Sequence, residues 1–272
     1  MNTPLPLEDN ASDILGKAMR GLGVSPGELA RRAGVSEHTV QELREARGEE
    51  AAWRAVAPVL GLGPEALVVS AAASWRPEPL SVEGLACFNT PFEDMTVNSY
   101  LVFDAARQKA VAFDTGADAT AMLDFLRERG LTLERVLLTH THGDHLFDLD
   151  RLCEKTGAQA FTSIREPLLG ATSIEPGYVF ECGTLRISTR STWGHSKGGI
   201  TYVIEGLSRP VAVVGDALFA GSMGGGGVSY ADALRTNREA IFSLPDATVV
   251  CPGHGPLTTV GEERTHNPFF AR

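Results

Sequence analysis

The stretch THTHGDH, residues 139–145, follows directly on the apolar run Val136-Leu137-Leu138 and sets three histidines and an aspartate between His140 and His145. Such a run reads as a buried strand opening into a loop at the edge of a sheet, which limits what the rest of the chain can be. Neutral imidazole and ionised carboxylate are ligands for borderline divalent metals. His140 and His142 stand two residues apart, a spacing that lets both rings converge on one ion from a loop leaving a strand. Asp144 and His145 lie just beyond, where the chain is expected to turn into a helix. Four ligands this close can hardly all serve one tetrahedral ion without strain. The economical solution is two ions, each completed by residues from elsewhere.

The chain provides those residues. His195 (TWGHS) follows the strand-like run 185–189, Asp216 (VVGDALF) ends the run 211–214, and His254 (CPGHG) follows the run 248–251. Each therefore sits just after a strand, at one edge of a sheet, where α/β proteins place their chemistry. Gly194, Gly215 and Gly253 precede the three and permit close backbone approach. A single histidine after a strand is usually structural. Five of the chain's 7 histidines in strand–loop slots are not explained that way. His38 and His266 fall outside the set and are expected on the surface.

Elsewhere the pattern alternates between strand and helix. Strands are expected at Ser99–Phe103, Ala110–Phe113, Val136–Leu138, Ala160–Thr162, Leu185–Thr189, Ile200–Ile204, Val211–Val214 and Thr248–Cys251, with helices over Ala119–Arg129 and about 146–156 and 231–243. This is layered α/β architecture. Residues 1–73 are different, an all-helical domain after a loose arm at 1–11. Ser12 is expected to cap its first helix, Ser25-Pro26-Gly27-Glu28 forms a capping box for the second, and Ser36 caps the third. The Pro-containing run 74–86 is the expected linker to a second domain at 87–272. The four cysteines are far apart with no CxxC pair, so they are expected as reduced thiols, and 1–20 lacks the apolar core of a signal peptide. With no apolar run long enough to span a bilayer, the expected location is the cytoplasm, away from membranes.

HxHxDH at 140–145, followed by GH at 195, GD at 216 and GH at 254, resembles the metallo-β-lactamase-fold hydrolases. DTG at 114–116 matches that family's first motif. GDALF with a glycine-rich stretch behind it, and the ending PGHGPLTTVGEERTHNPFF, are similar to the glyoxalase II-like thioesterases. The resemblance implies an αββα sandwich over the second domain and two divalent metal ions, zinc foremost, with iron and manganese as the other candidates. It implies that His140, His142 and His195 hold one ion, that Asp144, His145 and His254 hold the other, and that Asp216 bridges them. Asp114 would stand behind the ligands and orient a histidine. The implied reaction is hydrolysis of a small-molecule thioester or activated ester by a hydroxide shared between the ions, with Asp144 also placed to orient that hydroxide.

Residues 12–70 resemble the repressor-like helix-turn-helix domains in their short helix, AGVS turn and following TVQELREAR. That pattern would present Glu37, His38, Thr39, Gln41 and Glu42 to a DNA groove. Residues 1–70 hold 10 acids against 7 bases, and the chain carries a net charge of −10. Phosphate contacts need bases, so packing or dimerisation is favoured over DNA binding, and a homodimer is one arrangement the domain would serve.

Three departures bear on the substrate. Gly225 stands where the relatives carry Arg. Trp193 and Lys197 replace the two prolines around the third motif. Only 18 residues follow His254, too few for the C-terminal helical domain with which the larger glyoxalase II enzymes hold glutathione. Trp193 and Lys197 are therefore expected to line the pocket, and the flexible run 222–230 is either a lid or a plain surface loop. Two other readings stay open, a persulfide dioxygenase using one iron, and a regulator with a DNA-binding domain and a metal-binding sensor.

Overall fold

In the computed structural model, which describes residues 5–271, the chain opens with five helices, α1 (Ala11–Leu22), α2 (Pro26–Ala33), α3 (Glu37–Arg44), α4 (Glu50–Val56) and α5 (Pro64–Ala71). The first four residues of the expected arm lie outside the described part. The rest of the arm is seated against the body. Asp9 accepts a hydrogen bond from Ser222 Oγ at 2.5 Å and pairs with Lys17. The cap of α1 is Asn10, not Ser12. Asn10 accepts from the backbone of Ser12 and Asp13, while Asp13 answers with a bond to the Asn10 N–H, so two orphan donors are satisfied at once. Ser25 and Ser36 cap α2 and α3, the latter by accepting from Thr39 N at 3.0 Å. On α3 the basic side chains are occupied by neighbours. Arg44 donates to Gln41, and Arg47 just beyond pairs with Glu45.

Two six-stranded sheets follow. The first contains β1 (Leu85–Phe92), β2 (Met95–Asp104), β3 (Lys109–Phe113), β4 (Thr132–Leu137), β5 (Gln159–Ser163) and β6 (Thr172–Ile174), in that spatial order. The second contains β7 (Val179–Cys182), β8 (Leu185–Ser191), β9 (Ile200–Glu205), β10 (Val211–Gly215), β11 (Val249–Pro252) and β12 (Thr258–Thr259), in reverse order. Between strands lie α6 (Thr120–Arg129), α7 (Gly143–Leu146), α8 (Leu149–Thr156) and α9 (Tyr230–Ala240), and α10 (Val260–His266) closes the chain. Period-two alternation sorts the side chains into layers. Tyr100 and Val102 of β2, and Val111 and Phe113 of β3, point between the sheets toward Val211 and Val213 of β10. The intervening Leu101, Ala110 and Ala112 meet Met122, Leu126 and Leu152 of α6 and α8. On the far side, Ala212, Val214 and Val250 share one apolar cluster with α9 and with Ile14, Leu15, Leu29, Val40 and Leu67 of the N-terminal helices. The molecule is an αββα sandwich whose second helical layer is thickened by the N-terminal helices.

Layer order matters for the site because the strands β3, β4, β8, β10 and β11 all end at one edge. The expected strands are all present. β1, β6, β7 and β12, and the helix α10, were not read from the pattern. Leu85 and Ala86 already pair with Val102 and Leu101, so β1 begins two residues before position 87. All four cysteines are free thiols, and among the described residues no helix is long and apolar enough to cross a membrane.

The C-terminal helix is tied to this edge by a buried carboxylate. Glu263 on α10 accepts from Gly221 N at 3.0 Å, Thr258 Oγ1 at 2.8 Å and Asn267 Nδ2 at 2.8 Å. Burial pushes its carboxyl from an ordinary value of 4.5 up to about 8, against the pull of those donors. A raised folded-state value means the unfolded chain ionises first, so this group's contribution to stability falls as pH rises from about 4.5 to about 8. Melting temperatures of the native protein and Glu263→Gln across that range are expected to show the native protein losing stability relative to the variant. A constant gap between the two curves would mean that Glu263 is ionised throughout.

Candidate metal centre

Asp114, immediately after β3, is the buried hub behind the site. Its backbone lies at φ +55°, a left-handed conformation unfavourable for a residue with a side chain. The geometry is held because the carboxylate takes three hydrogen bonds. Oδ1 accepts from Thr139 N at 2.8 Å, and Oδ2 accepts from Thr139 Oγ1 and from His145 Nδ1, both at 2.8 Å. The Thr139 hydroxyl has one proton and gives it to Asp114, so toward His140 Nδ1, 3.0 Å away, it acts as acceptor. One carboxylate thus sets the tautomers of two histidines, His145 directly and His140 through Thr139. Gly215 makes room for this relay, since a Cβ there would lie 2.4 Å from Thr139 Oγ1.

The other rings are fixed by backbone carbonyls. His195 Nδ1 donates to Gly225 O at 3.0 Å, and His254 Nδ1 donates to Thr96 O at 2.7 Å. For His140, His145, His195 and His254 the outer nitrogen therefore carries the proton, and Nε2 presents its lone pair inward. His142, the residue before α7, turns Nδ1 inward, 2.9 Å from His140 Nε2 and 3.1 Å from His195 Nε2. Two groups of donors result, each with its ligand atoms within 4.8 Å of one another. One is His140, His142, His195 and Asp216, and the other is Asp144, His145 and His254. Asp216 faces both. Its Oδ2 is 3.4 Å from His195 Nε2 and 3.5 Å from His254 Nε2, and its Oδ1 is 3.3 Å from His145 Nε2. Asp144 Oδ2 stands 3.2 Å from His254 Nε2 and 3.4 Å from His145 Nε2. All seven residues named as ligands come together here.

The arrangement fits cations. Converging lone pairs repel unless something positive lies between them. His145 Nε2 and Asp216 Oδ1 are both buried with no hydrogen-bond partner, a state that costs about 1–3 kcal/mol for each group if nothing fills it. Burial, with the neighbouring His145, holds His140 well below the ordinary imidazole range, which keeps it a neutral donor. Burial opposes the charge on Asp216, yet His145 and the other imidazoles hold its carboxyl well below the usual range. Burial likewise opposes protonation of His145 and His254, and nearby carboxylates, Asp216 foremost for His145 and Asp144 for His254, raise both. The pocket therefore draws in positive charge, as protons on these two rings or as cations that displace them.

Above the donors lies a cleft of about 270 Å³. Its walls include Met95, Phe219, Gly224 and Gly225, and from the N-terminal segment Glu8 and Lys17. The glycine run is packed against the site. Gly224 N donates to Asp216 O at 3.0 Å, and a Cβ on Gly224 would lie 2.0 Å from that oxygen. Trp193 and Lys197 are not among the residues that line this cleft. The Trp193 ring carries the Arg165 guanidinium at 5.5 Å, and Lys197 is exposed, with its backbone N–H bonded to Glu166 at 2.7 Å. His38 is exposed as expected, but His266 is half-buried and stacks on Trp75 at 4.6 Å. Sequence reasoning missed Thr139, whose only signal was its place beside His140. It also missed Glu8 and Lys17, which no local pattern connects to the site.

Asp114→Asn places an amide donor against two donors and inverts the His145 tautomer. It is expected to weaken divalent metal binding by about 10–100-fold in competition with a chromophoric chelator. Unchanged affinity in a folded variant would separate Asp114 from ligand orientation.

Comparison with known proteins agrees with this geometry. Residues 93–254 match the model of the metallo-beta-lactamase superfamily. An uncharacterized protein of Mycobacterium leprae is 32% identical over 64% of this chain and 93% of its own length. The probable metallo-hydrolase YqgX of Bacillus subtilis is 28% identical over 66% and 95%, and the hydroxyacylglutathione hydrolase GloC of Haemophilus influenzae is 26% identical over 64% and 92%. Among solved structures, ETHE1 from Myxococcus xanthus superposes with a TM-score of 0.59 at 28% identity, covering 67% of this chain and 83% of that one. TTHA1623, solved in a di-iron-bound form, gives 0.56 at 25% identity, covering 67% and 99%. With its five imidazoles and two carboxylates at the edge of an αββα sandwich, the chain belongs to the metallo-beta-lactamase superfamily.

Proposed function

We propose that this protein is a metal-dependent hydrolase of small thioesters or activated esters. The observation that carries the reading is one buried carboxylate, Asp216, facing two separate donor sets at the floor of an open cleft. His140, His142 and His195 would hold one divalent ion, Asp144, His145 and His254 the other, with Asp216 between them. Imidazole and carboxylate donors suit zinc first, and also iron or manganese. When bound, such a pair supplies a nucleophile made from water at neutral pH and an electrophile for a carbonyl oxygen.

The chain's own residues do the rest. Asp144 lies on the cleft side of the second donor set and is placed to accept a proton from the attacking water and aim its oxygen at the substrate. Burial acts against its charge, but the His254 contact holds its carboxyl below the usual range, so it is an acceptor at neutral pH. Phe219 and Met95 give the cleft apolar walls that partly exclude water. No cysteine lines the cleft, and burial pushes the Cys182 and Cys251 thiols up, so thiol nucleophiles have no part in the reading. The names of the Bacillus and Haemophilus relatives support hydrolysis in general and thioester hydrolysis in particular.

Metal-loaded protein is expected to release free thiol from short acyl thioesters, S-lactoylglutathione among those tried, and Asp216→Ala to abolish that release. Absence of thiol release from every thioester at high protein concentration would remove this substrate class. One iron per chain with oxygen uptake would replace it with the dioxygenase reading.

A further inference from the structure

Residues 5–17 precede the part of the chain that matches the superfamily model, yet they form part of the cleft wall. The segment is locked in place at three points. Asp9 binds both Ser222 and Lys17. The Lys17 ammonium also donates to Met223 O at 2.9 Å and lies 5.1 Å from the centre of the Phe219 ring. Glu8 and Pro6 pass over the loop that follows His254, where Gly255 sits at φ +75° and a Cβ would come within 3.3 Å of Glu8 N.

This packing settles which charges face a substrate. The Lys17 charge is compensated by Asp9 and largely buried, its side chain 14% exposed and that of Asp9 8%. Lys17 is therefore a strut. Glu8 lines the same cleft, is solvent-exposed, and forms no ion pair among the described residues. Among the described residues no Arg lines the cleft, and Gly224 and Gly225 add only backbone. Among the described residues, the one side-chain charge without an ion pair on the wall away from the donor sets is a carboxylate. On the wall of a binding cleft an unpaired charge repels like charge and discriminates between partners more than it adds affinity.

We propose that the N-terminal segment is the substrate-selecting wall and that Glu8 favours (thio)esters whose leaving group is cationic over those whose leaving group is anionic. The proposal rests on the hydrolase reading for the identity of the reacting bond, but the charge preference is measurable without turnover. The probes are three thiols that correspond to leaving groups, thiocholine (cationic), 2-mercaptoethanol (neutral) and 3-mercaptopropionate (anionic). Each is titrated at pH 8 into full-length cobalt-loaded protein, and the thiolate-to-cobalt absorption band is read. Glu8→Gln is expected to weaken thiocholine and tighten 3-mercaptopropionate by about fivefold each, and to leave 2-mercaptoethanol within about twofold. Glu83→Gln, the same charge change at an exposed position that does not line the cleft, is expected to move none of them. Equal shifts in the two variants, no shift in Glu8→Gln, or no band with any thiol would overturn the proposal. Failure of every thioester to turn over, with the charge order intact, would instead count against the hydrolase reading alone.

Discussion

The Asp114 carboxylate is the interaction on which the rest of the site depends. Two donors from Thr139, one to each oxygen, and one from His145 meet a single buried carboxylate, and together they tie the ends of β3 and β4 and helix α7 into one corner. The residue lies at φ +55°, a conformation an L-residue avoids unless its surroundings over-determine it. Here they do. Without the carboxylate, His140 and His145 would be free to exchange tautomers or rotate, and the lone pairs that face inward would have no fixed direction.

From that corner the electrostatics follow. Seven donors converge in a region where His140, His145, Asp216 and His254 are all buried. A cluster like this is unfavourable in isolation, because lone pairs and anions face one another across a low dielectric. The sandwich holds it together with apolar layers on both faces of both sheets. Positive charge in the pocket relieves the conflict, and the same conflict supplies the driving force for binding a cation. Function and local instability therefore have one origin.

Much of this could be read from the sequence, and for physical reasons. The candidate ligand positions were visible because the THTHGDH stretch follows the apolar run Val136–Leu138, and His195, Asp216 and His254 each come after a strand-like run with a glycine immediately before, as in Gly215-Asp216 and Gly253-His254. Layered α/β architecture was visible in the alternation of strand and helix runs, while the αββα order was only implied by the family resemblance, because a run apolar throughout such as Ala110–Phe113 does not show which side chains face the other sheet and which face the helices. Short edge strands such as β6 and β12 carry too few residues to show a period. Asn10 was passed over as a cap because Ser12 lies nearer the apolar periodicity, and the choice between them is made by hydrogen-bond geometry. Trp193 and Lys197 were singled out by their place beside His195, but sequence proximity does not fix side-chain direction, and the Trp193 ring packs against Arg165 while Lys197 is exposed outside the cleft lining. Glu8 and Lys17 reach the cleft only through tertiary packing of the N-terminal helices, which leaves no local signature.

If both donor sets act as described, protein isolated without chelators and measured by elemental analysis holds two divalent ions per chain. The His254→Ala variant, which leaves the set of His140, His142, His195 and Asp216 intact, holds one. A single ion in the unaltered protein, with the count unchanged by His254→Ala, would contradict the account.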